Sequence, residues 1–369
     1  MKITICGDLS PQGVNEVFEK GDIKTLFNDV PEVFKDSDKV IVNLEVALTN
    51  SDYKIEKFGP NIKATPNCAK VLKEAGFTDC LLANNHIFDF GLEGLNDTIK
   101  VLEEEGFGYT GIGENYEDAR KNMIIEKDGK KVAVINVCEH EYSYALKDRI
   151  GTRGIDWFDT MVDISNAKKE NDFVVVVFHG GKEMCYYPSP RLRKMCQSMA
   201  WHGADVVLCQ HSHCIGCYEN YNGAHILYGQ GNFHFVEFGK DAGIKDFNIG
   251  LITQLDINDK IDISFIPVET YGKGIRLAKG EVYDEIMNDF KNKSQTIIDG
   301  TYLDKWHEFC ETKRQIFVDC IHDACIDNPK FRPDAQSAIN YFSHLLRCEA
   351  HHDVIEELFP LSWETRKRP

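Results

Sequence analysis

The chain has 369 residues and a formal net charge of −17, with 43% hydrophobic and 27% charged residues. That length allows one large domain or two ordinary ones, and the composition is that of a globular protein, which excludes extensive disorder. The acidic balance counts against nucleic acid as a partner, and the single short basic cluster, Arg366 to Arg368, is interpreted as a solvated tail. An anionic substrate stays compatible, because bound metal ions reverse the sign of a pocket locally.

Cysteine use and the first residues indicate the compartment. Thirteen cysteines are too few for a disulfide scaffold in a chain of this length, and several lie in apolar runs, such as Cys6, Cys80 and Cys138. The first residues run directly into the strand-like segment Ile3 to Cys6, which leaves no room for a signal peptide. No apolar run approaches the roughly 18 residues that span a bilayer. We therefore expect a cytoplasmic protein without a membrane anchor.

Short β-branched runs alternate with helical patterns along the first part of the chain. The predicted strands are Lys2–Cys6, Lys39–Leu44, Asp79–Ala83, Lys131–Val137, Asp172–Phe178, Ala204–Leu208, His225–Tyr228, Gly250–Asp256 and Asp262–Pro267. The predicted helices include Thr65–Ala75, Leu92–Glu105, Ile155–Glu170 and Pro190–Trp201. This alternation indicates an α/β domain with mainly parallel pairing. The strand-rich later part, with a hairpin turn at Asn258-Asp259, suggests a second, more antiparallel sheet packed against the first.

The pattern changes after Gly280. Positions such as Trp306, Cys310 and Phe317 follow a helical period, and no Gly/Ser/Pro-rich linker precedes them. We interpret residues 281–369 as a helical appendage docked on a core of residues 1–280. Its apolar positions fit either packing on that core or docking of a partner, including a second copy that would form a homo-oligomer.

Five strand-like runs each end in a polar motif, the position where open α/β sheets gather functional residues. The motifs are Gly7-Asp8, Asn43-Leu44-Glu45, Asn84-Asn85-His86 with Asp89 and Gly91, His179-Gly180-Gly181 with Glu183, and His211-Ser212-His213. Each alone has an ordinary explanation, because an Asp after a strand is usually a turn former or helix cap and a lone histidine is usually satisfied in a core. Five in one chain are not independent accidents. Carboxylate, amide and imidazole groups together suit Mn, Fe or Zn.

Taken in order with the later run Tyr228 to Phe233, these motifs resemble the CapA capsule-synthesis (poly-γ-glutamate) family, part of the calcineurin-like metallophosphoesterase superfamily. The match covers roughly residues 1–270, and its most specific parts are the Asn-Asn-His-x-x-Asp-x-Gly run and the late Gly-Asn-Phe. The resemblance implies an α/β fold, a four-layer α-β-β-α sandwich of the metallo-dependent phosphatase type, here with a C-terminal helical extension.

The resemblance also implies two divalent metal ions and a set of ligands. Asp8 and His213 would hold one ion, Asn85, His179 and His211 the other, and Glu45 would bridge them. The His-x-His pair would place both imidazoles on one side of an extended segment. The superfamily has Asp-x-His at the first motif, whereas this chain has Asp8-Leu9-Ser10, which removes an imidazole from the first ion.

Further residues are expected around the ions. His86 would be the uncoordinated acid that protonates the leaving group, with Asp89 and Glu183 orienting ligands. Arg191 and Arg193 could meet an anionic substrate at a rim or be solvated residues of a helix start.

Three other segments leave alternatives open. The run Glu139-His140-Glu141 could line the pocket or form a polar loop, and Asn232 is expected to pin a loop beneath the site. Cys214-x-x-Cys217 is interpreted as incidental.

Such a site predicts hydrolysis, since two metal ions can activate a bridging water and stabilise a departing oxygen. A phosphoester in an anionic small molecule or polymer, linked to capsule or poly-γ-glutamate metabolism, is the most natural substrate, and a γ-glutamyl amide is an alternative. The competing hypothesis from another class is a non-enzymatic or weakly active accessory protein in the synthesis of such a polymer.

Overall fold

The computed structural model describes residues 1–236, 245–325 and 335–359. The strands are β1 (Lys2–Leu9), β2 (Lys39–Leu44), β3 (Ala47–Leu48), β4 (Lys63–Ala64), β5 (Asp79–Leu81), β6 (Gly108–Thr110), β7 (Ile112–Gly113), β8 (Met123–Lys127), β9 (Lys130–Cys138), β10 (Gly151–Thr152), β11 (Phe173–His179), β12 (Val206–Gln210), β13 (Tyr218–Tyr221), β14 (Ala224–Leu227), β15 (Asn232–His234), β16 (Ile249–Ile257), β17 (Ile261–Tyr271) and β18 (Gly274–Leu277). The helices are α1 (Asn15–Glu19), α2 (Ile23–Phe27), α3 (Asn67–Ala75), α4 (Gly91–Glu104), α5 (Tyr116–Ala119), α6 (Trp157–Glu170), α7 (Pro190–Trp201), α8 (Gly280–Asp299), α9 (Tyr302–Cys325), α10 (Ala335–Arg347) and α11 (Glu349–Leu358).

Two mixed sheets form the centre of the molecule. The first has the order β18-β17-β16-β1-β2-β5-β6, with β15 also pairing with β1, and its strands β1, β2, β5 and β6 are parallel. The second has the order β13-β14-β12-β11-β9-β8, with β9, β11, β12 and β14 parallel. Buried parallel strands need apolar residues on both faces, which explains the continuous run from Val174 to Val177 in β11.

The expectation that the strand-rich later part builds the second sheet is wrong. β16 pairs antiparallel with β1, from Lys2 opposite Asp256 to Ile5 opposite Thr253, so β16, β17 and β18 extend the first sheet. Alternation along a strand shows which residues are buried, but it carries no information about the strand's partner. The hairpin turn at Asn258-Asp259 is confirmed, because β16 and β17 pair on either side of it.

Three apolar clusters separate the layers. Ile5 of the first sheet and Val134 of the second belong to one cluster that lies between the sheets. Val42 belongs to a cluster with α3 and α4 on the outer face of the first sheet, and Val176 to one with α6 and α7 on the outer face of the second. The predicted four-layer α-β-β-α sandwich is therefore confirmed.

The helices from Gly280 onward pack on this sandwich and on one another. Ile286 and Phe290 of α8 belong to the cluster between the sheets, and α9, α10 and α11 share a separate cluster that includes Trp306 and Val354. These contacts are compatible with helices that cover the core, and docking of a partner stays a prediction. Within the residues that the structure describes, no helix has both the length and the apolar character needed to cross a bilayer.

Candidate metal centre

The parallel strands of both sheets point their carboxyl ends to one region, as the sequence predicted. In the first sheet, Asp8 lies at the end of β1, Glu45 directly after β2, and Asn85 shortly after β5. In the second sheet, His179 is the last residue of β11 and His211 directly follows β12. Because the sheets pack face to face, side chains from two separate parallel arrays meet at one end of the sandwich.

Two of the groups of side chains that could hold a metal ion overlap at Glu45. Glu45, His179 and His211 form one cluster, and Asp8, Glu45 and His213 form the other, with the ligand atoms of each lying within 4.8 Å of one another. Oε1 of Glu45 lies 3.4 Å from Nε2 of His179 and 4.0 Å from Nε2 of His213. Glu45 is thus the residue common to both clusters.

Glu45 has no compensating hydrogen bonds. Its side chain is fully buried, and neither carboxylate oxygen has a hydrogen-bond partner among the described residues. Burial, and then the charge of Asp8, raise the pKa of Glu45 to about 7. Burying a carboxylate is costly unless a cation or hydrogen-bond donors offset the lost hydration. These two oxygens therefore fit a metal ion.

His211 also has a buried polar atom without a hydrogen-bond partner in the described part of the chain. Its Nε2 lies 3.1 Å from Oε1 of Glu141, while its Nδ1 is buried without a partner in the described part of the chain. A carboxylate that holds one ring nitrogen leaves the lone pair on the other, the usual arrangement for a metal-binding histidine. Burial lowers the pKa of His211, but the charge and hydrogen bond of Glu141 and the charge of Glu183 outweigh it and raise the pKa to about 10. The surroundings of this ring thus favour a positive charge.

His179 and Asn85 complete the first cluster. Nε2 of His179 lies 3.0 Å from Oδ1 of Asn85, and Nδ1 of His179 lies 3.0 Å from Nδ2 of Asn43. Nδ2 of Asn43 also donates to Asp8, at 2.7 Å. Burial and the charge of His211 hold the pKa of His179 well below its usual range, so this imidazole is neutral and able to bind a metal.

His213 is oriented by Asn232. Nδ1 of His213 lies 2.8 Å from Oδ1 of Asn232, whose Nδ2 donates to the carbonyl of Phe247 at 2.9 Å. The expectation of an extended His-x-His segment is wrong, because His211 and His213 have φ values of 80° and 54°. Left-handed backbone is costly for residues other than glycine, and it is found mainly where function requires it.

The backbone around Gly7 and Gly231 leaves no room for a side chain at either position. A Cβ on Gly7 would lie 2.4 Å from the carbonyl oxygen of Gly231, and Gly231 has a φ of 72°. β1 and the Gly-Asn-Phe segment therefore approach more closely than any side chain allows. This approach sets Asp8 opposite Asn232 in the register of β1 and β15.

His86 lies beside the clusters in a network of its own. Its Nδ1 lies 2.7 Å from Oδ2 of Asp89, which also accepts from the backbone nitrogen of Ile62 at 2.7 Å. Lys57, which the sequence did not single out, pairs with the other oxygen of Asp89, and its Nζ lies 3.2 Å from Nδ1 of His86. Asp89 thus holds one edge of the ring and leaves Nε2 available.

Of the other predicted residues, Glu183 lies at the candidate site, whereas Arg191 and Arg193 pair with carboxylates elsewhere. The carboxylate of Glu183 lies within 4.8 Å of the ligand atoms of His211 and His213, and this side chain is about half exposed, at 48%. Arg191 instead donates from Nη2 to Oδ2 of Asp353 at 3.1 Å, and Arg193 pairs with Glu219 at 2.9 Å. Both arginines hold protein carboxylates, away from the residues that line the pocket described below.

Sequence reasoning missed several contacts of the site. Asn43 was quoted within a motif but received no role, and Glu141, which also accepts from Nδ2 of Asn85 at 3.1 Å, was interpreted as pocket lining or polar loop. Asn43 lies near the end of β2 and Glu141 shortly after β9, and this position at a strand end was the available signal. Lys57 lies in an irregular loop, where no periodicity could single it out.

Comparison with known proteins places these motifs in a family. The family model described as "Bacterial capsule synthesis protein PGA_cap" matches residues 2–237. The chain is similar to the capsule biosynthesis protein CapA of Bacillus anthracis (33% identity over 245 residues, 64% of this chain and 60% of that protein). It is also similar to the PGA biosynthesis protein CapA of Bacillus subtilis strain 168 (32% over 226 residues, 60% of each). The matched region thus spans about 60% of the length of these curated relatives.

Solved structures give weaker likenesses. A phosphatase from Mycoplasma pneumoniae has 14% identity and a TM-score of 0.43, covering 74% of this chain and 90% of that one. A 5'-nucleotidase from Candida albicans has 9% identity and a TM-score of 0.41, covering 81% and 57%. No functional parallel follows at these values. The family match, in contrast, extends over well more than half of the chain and contains every strand-end motif, and the chain belongs to the bacterial capsule synthesis protein PGA_cap family.

Proposed function

We propose that this protein is a metal-dependent hydrolase, acting on a phosphoester of an anionic substrate linked to capsule or poly-γ-glutamate metabolism. The observation that carries the proposal is Glu45, a fully buried carboxylate with two unpartnered oxygens that belongs to both ligand clusters. A protein gains little from such a group unless a cation binds it. Family membership supports the link to capsule polymers.

We assign the ligands as follows. Asp8 and His213 would hold one divalent ion, Asn85, His179 and His211 would hold the other, and Glu45 belongs to both ligand clusters. The mixture of carboxylate, amide and imidazole groups favours Mn, Fe or Zn. When bound, the two ions activate a water and stabilise the charge of the transition state. The half-exposed carboxylate of Glu183 is a further ligand or an orienting group.

His86 is the proposed general acid. Asp89 accepts a hydrogen bond from Nδ1 of His86, which fixes the orientation of the ring and leaves Nε2 available. A proton on Nε2 can pass to the departing oxygen of the substrate, which removes the need to expel an alkoxide. Lys57 neutralises Asp89, and its buried ammonium group adds positive charge beside the ring. His86 and Asp89 thus act as one unit, with Lys57 as a positioning residue.

The same residues could direct a water to an amide, and a γ-glutamyl bond remains the alternative substrate. We favour the phosphoester, because bound divalent ions would suit a group with more than one negative charge. We also place the reaction in the cytoplasm, and the buried thiols of the described cysteines support a reducing compartment.

The second candidate function is a non-catalytic accessory role in polymer synthesis. Ser10 favours it, since the histidine of the wider superfamily is replaced there by a buried hydroxyl whose oxygen has no partner in the described chain. With one imidazole fewer, Asp8 and His213 would hold an ion less tightly, and turnover would fall with its occupancy.

The test is turnover of p-nitrophenyl phosphate with Mn²⁺, with metal content measured on the same samples. We expect hydrolysis that a chelator abolishes, and a His86→Asn variant that keeps its metal but loses about 10²- to 10⁴-fold in kcat. His202→Asn is the matched control, because His202 directly follows α7 and its ring Nδ1 lies 2.8 Å from the carbonyl oxygen of Ser198. A wild-type protein that binds metal and never turns over would favour the accessory role.

A further inference from the structure

A pocket of about 220 Å³ opens between the metal-ligand clusters and the C-terminal helices. One wall carries residues of the site, namely Asn85, His86, Glu141, Glu183 and His211. The opposite wall carries Tyr341 and His344 of α10 and His351 of α11. Loop residues 57–60, Tyr142 and Lys182 complete the lining. The last two helices therefore form a roof over the candidate metal centre.

The roof is docked directly on the loops that carry the site. Sγ of Cys348 donates to Oε2 of Glu139 at 3.2 Å. The carboxylate of Glu349 accepts from the backbone nitrogen of His140 at 3.0 Å and lies 2.6 Å from Nδ1 of the same residue. Asp353, which is buried, accepts from Arg191. These contacts join α11 and its cap to segments that follow β9 and β11, and they fix the roof to the loops of the site.

Aromatic rings close the space between the roof and the loop of residues 50–62. The rings of Phe58 and Tyr341 stack with their centroids 3.9 Å apart and their planes at 19°. The ring of Tyr142 stacks on His344 at 5.3 Å, and the hydroxyl of Tyr142 accepts from the backbone nitrogen of Phe58 at 3.1 Å. A substrate chain passing through the pocket would have to separate these rings.

The two lysines of the pocket are paired with carboxylates, Lys57 with Asp89 and Lys182 with Glu183 at 3.8 Å. The ammonium groups of Lys57 and Lys182 belong to side chains with only 2% and 10% exposure. Nε2 of His344 lies 2.9 Å from Nε2 of His351, and burial lowers the pKa of both rings, so the pair is neutral at pH 7. In a neutral pair joined in this way, one ring carries its proton on Nε2 and the other on Nδ1. The roof therefore adds hydrogen-bonding groups without adding charge.

We propose that α10 and α11 form the roof of a substrate pocket that selects small phosphomonoesters, or a phosphorylated chain end, over a phosphate in the middle of a polymer. This rests on the proposed function of the metal centre. Pockets for drug-sized ligands measure about 300–1,000 Å³, and 220 Å³ is below that range. The phosphoryl group would lie against the metal ligands, and the leaving group would contact Tyr341 and His344.

The test compares phosphoserine with a decapeptide that carries phosphoserine at its centre, which has the same ester bond with chain on both sides. We expect Mn²⁺-loaded wild-type protein to bind phosphoserine at least 100-fold more tightly in calorimetry and to hydrolyse it with a correspondingly higher kcat/KM. Phe58→Ala should reduce that ratio at least tenfold. This variant alters only a loop side chain and leaves the apolar cluster of α9, α10 and α11 intact. Tyr341→Ala should act in the same direction, with Tyr283→Ala, exposed on α8, as the control.

The two proposals can fail separately. Tight, selective binding of phosphoserine without turnover would contradict the proposed hydrolase activity and support the proposed role of α10 and α11 in substrate selection. The role of α10 and α11 in selection would be contradicted if both substrates were hydrolysed with kcat/KM values within about threefold of each other. It would also be contradicted if the ratio were unchanged in both Phe58→Ala and Tyr341→Ala, and either result would leave the hydrolase activity supported. Wild-type protein that binds neither substrate would contradict the roof as well.

Discussion

The ends of the strands and the face of α11 that contacts the segments after β9 and β11 (its docking face) both contain polar groups with little exposure. The two regions differ in whether those groups have hydrogen-bond partners. At the strand ends, both oxygens of Glu45 and Nδ1 of His211 have no partner in the described chain, and two histidines adopt left-handed backbone. On the docking face, Glu139, His140 and Arg191 each meet a partner from the end of the chain. Unpaired groups cost stability and are kept where they bind a ligand, whereas paired groups hold segments together. The unpaired groups of the first region are thus available for a ligand, and the paired groups of the second hold segments together.

This comparison predicts that substitutions in the two regions change stability with opposite signs. The largest effect is expected for Glu45→Gln. Turnover should fall by about 1,000-fold or more, because both ions lose a shared ligand. The metal-free variant should nevertheless be more stable than metal-free wild type by about 1–3 kcal/mol, since a buried charge without partners is removed. Thermal unfolding in chelator measures this, with exposed Glu104→Gln as the control. A less stable metal-free variant would contradict the binding role of Glu45.

Asp353→Asn should have the opposite effect on stability. The substitution weakens hydrogen bonds to the charged Arg191 and to Ser189 at the buried docking face. We expect a loss of about 1–3 kcal/mol in the free energy of unfolding with metal binding retained. Chemical denaturation followed by metal analysis measures both quantities. Asp284→Asn, exposed on α8, is the matched control. Stability equal to wild type would show that this contact does not hold the roof.

The cap of α6 should give an effect on stability alone. Oδ1 of Asp156 accepts from the backbone nitrogens of Phe158 and Asp159, at 2.9 and 2.8 Å, and so caps α6. Asp156→Ala should cost about 1 kcal/mol, while kcat and KM stay at the wild-type values. Asp156→Asn, which retains the capping oxygen, should recover most of the loss. A change in kcat would mean that α6 influences the site.

The smallest effect concerns pH and the contact between His140 and Glu349. Burial lowers the pKa of His140, but the hydrogen bond and charge of Glu349, with Asp156 and Glu139 nearby, outweigh it and raise the pKa above 6.5. Burial raises the pKa of Glu349, but His140 outweighs it and lowers the pKa below 4.5. The contribution of His140 is therefore full below pH 6.5 and is lost as pH rises through its raised pKa. That of Glu349 is lost only in acid.

Hydrogen exchange in α11 measures this dependence. After correction for the intrinsic rate, protection of α11 should weaken between pH 6 and pH 9 by about 0.5 kcal/mol. His140→Gln should remove that dependence, and α4 serves as the internal reference. Protection that does not change with pH in the wild type would show that the pair contributes nothing to docking.

The two regions also differ in how far sequence could predict them. A short polar motif after an apolar strand carries its own position, because parallel strands end at one edge of a sheet, and so Asp8, Glu45 and His179 could be grouped in advance. The contact between Glu139 and Cys348 joins residues 209 positions apart, and nothing in either local pattern specifies it. The strand β16 was found from its alternation, but its pairing with β1 was not. Local periodicity predicts elements, and long-range pairing decides which of them meet.

We propose that the strand ends hold two divalent ions and that Glu45 is a ligand of both. The most direct test is the number of Mn²⁺ ions bound per chain at equilibrium, in wild type, His213→Ala and Glu45→Gln. We predict roughly two ions for wild type, one for His213→Ala, and no tight binding for Glu45→Gln. Wild-type stoichiometry retained in Glu45→Gln, or no bound ion in the wild type, would contradict the claim.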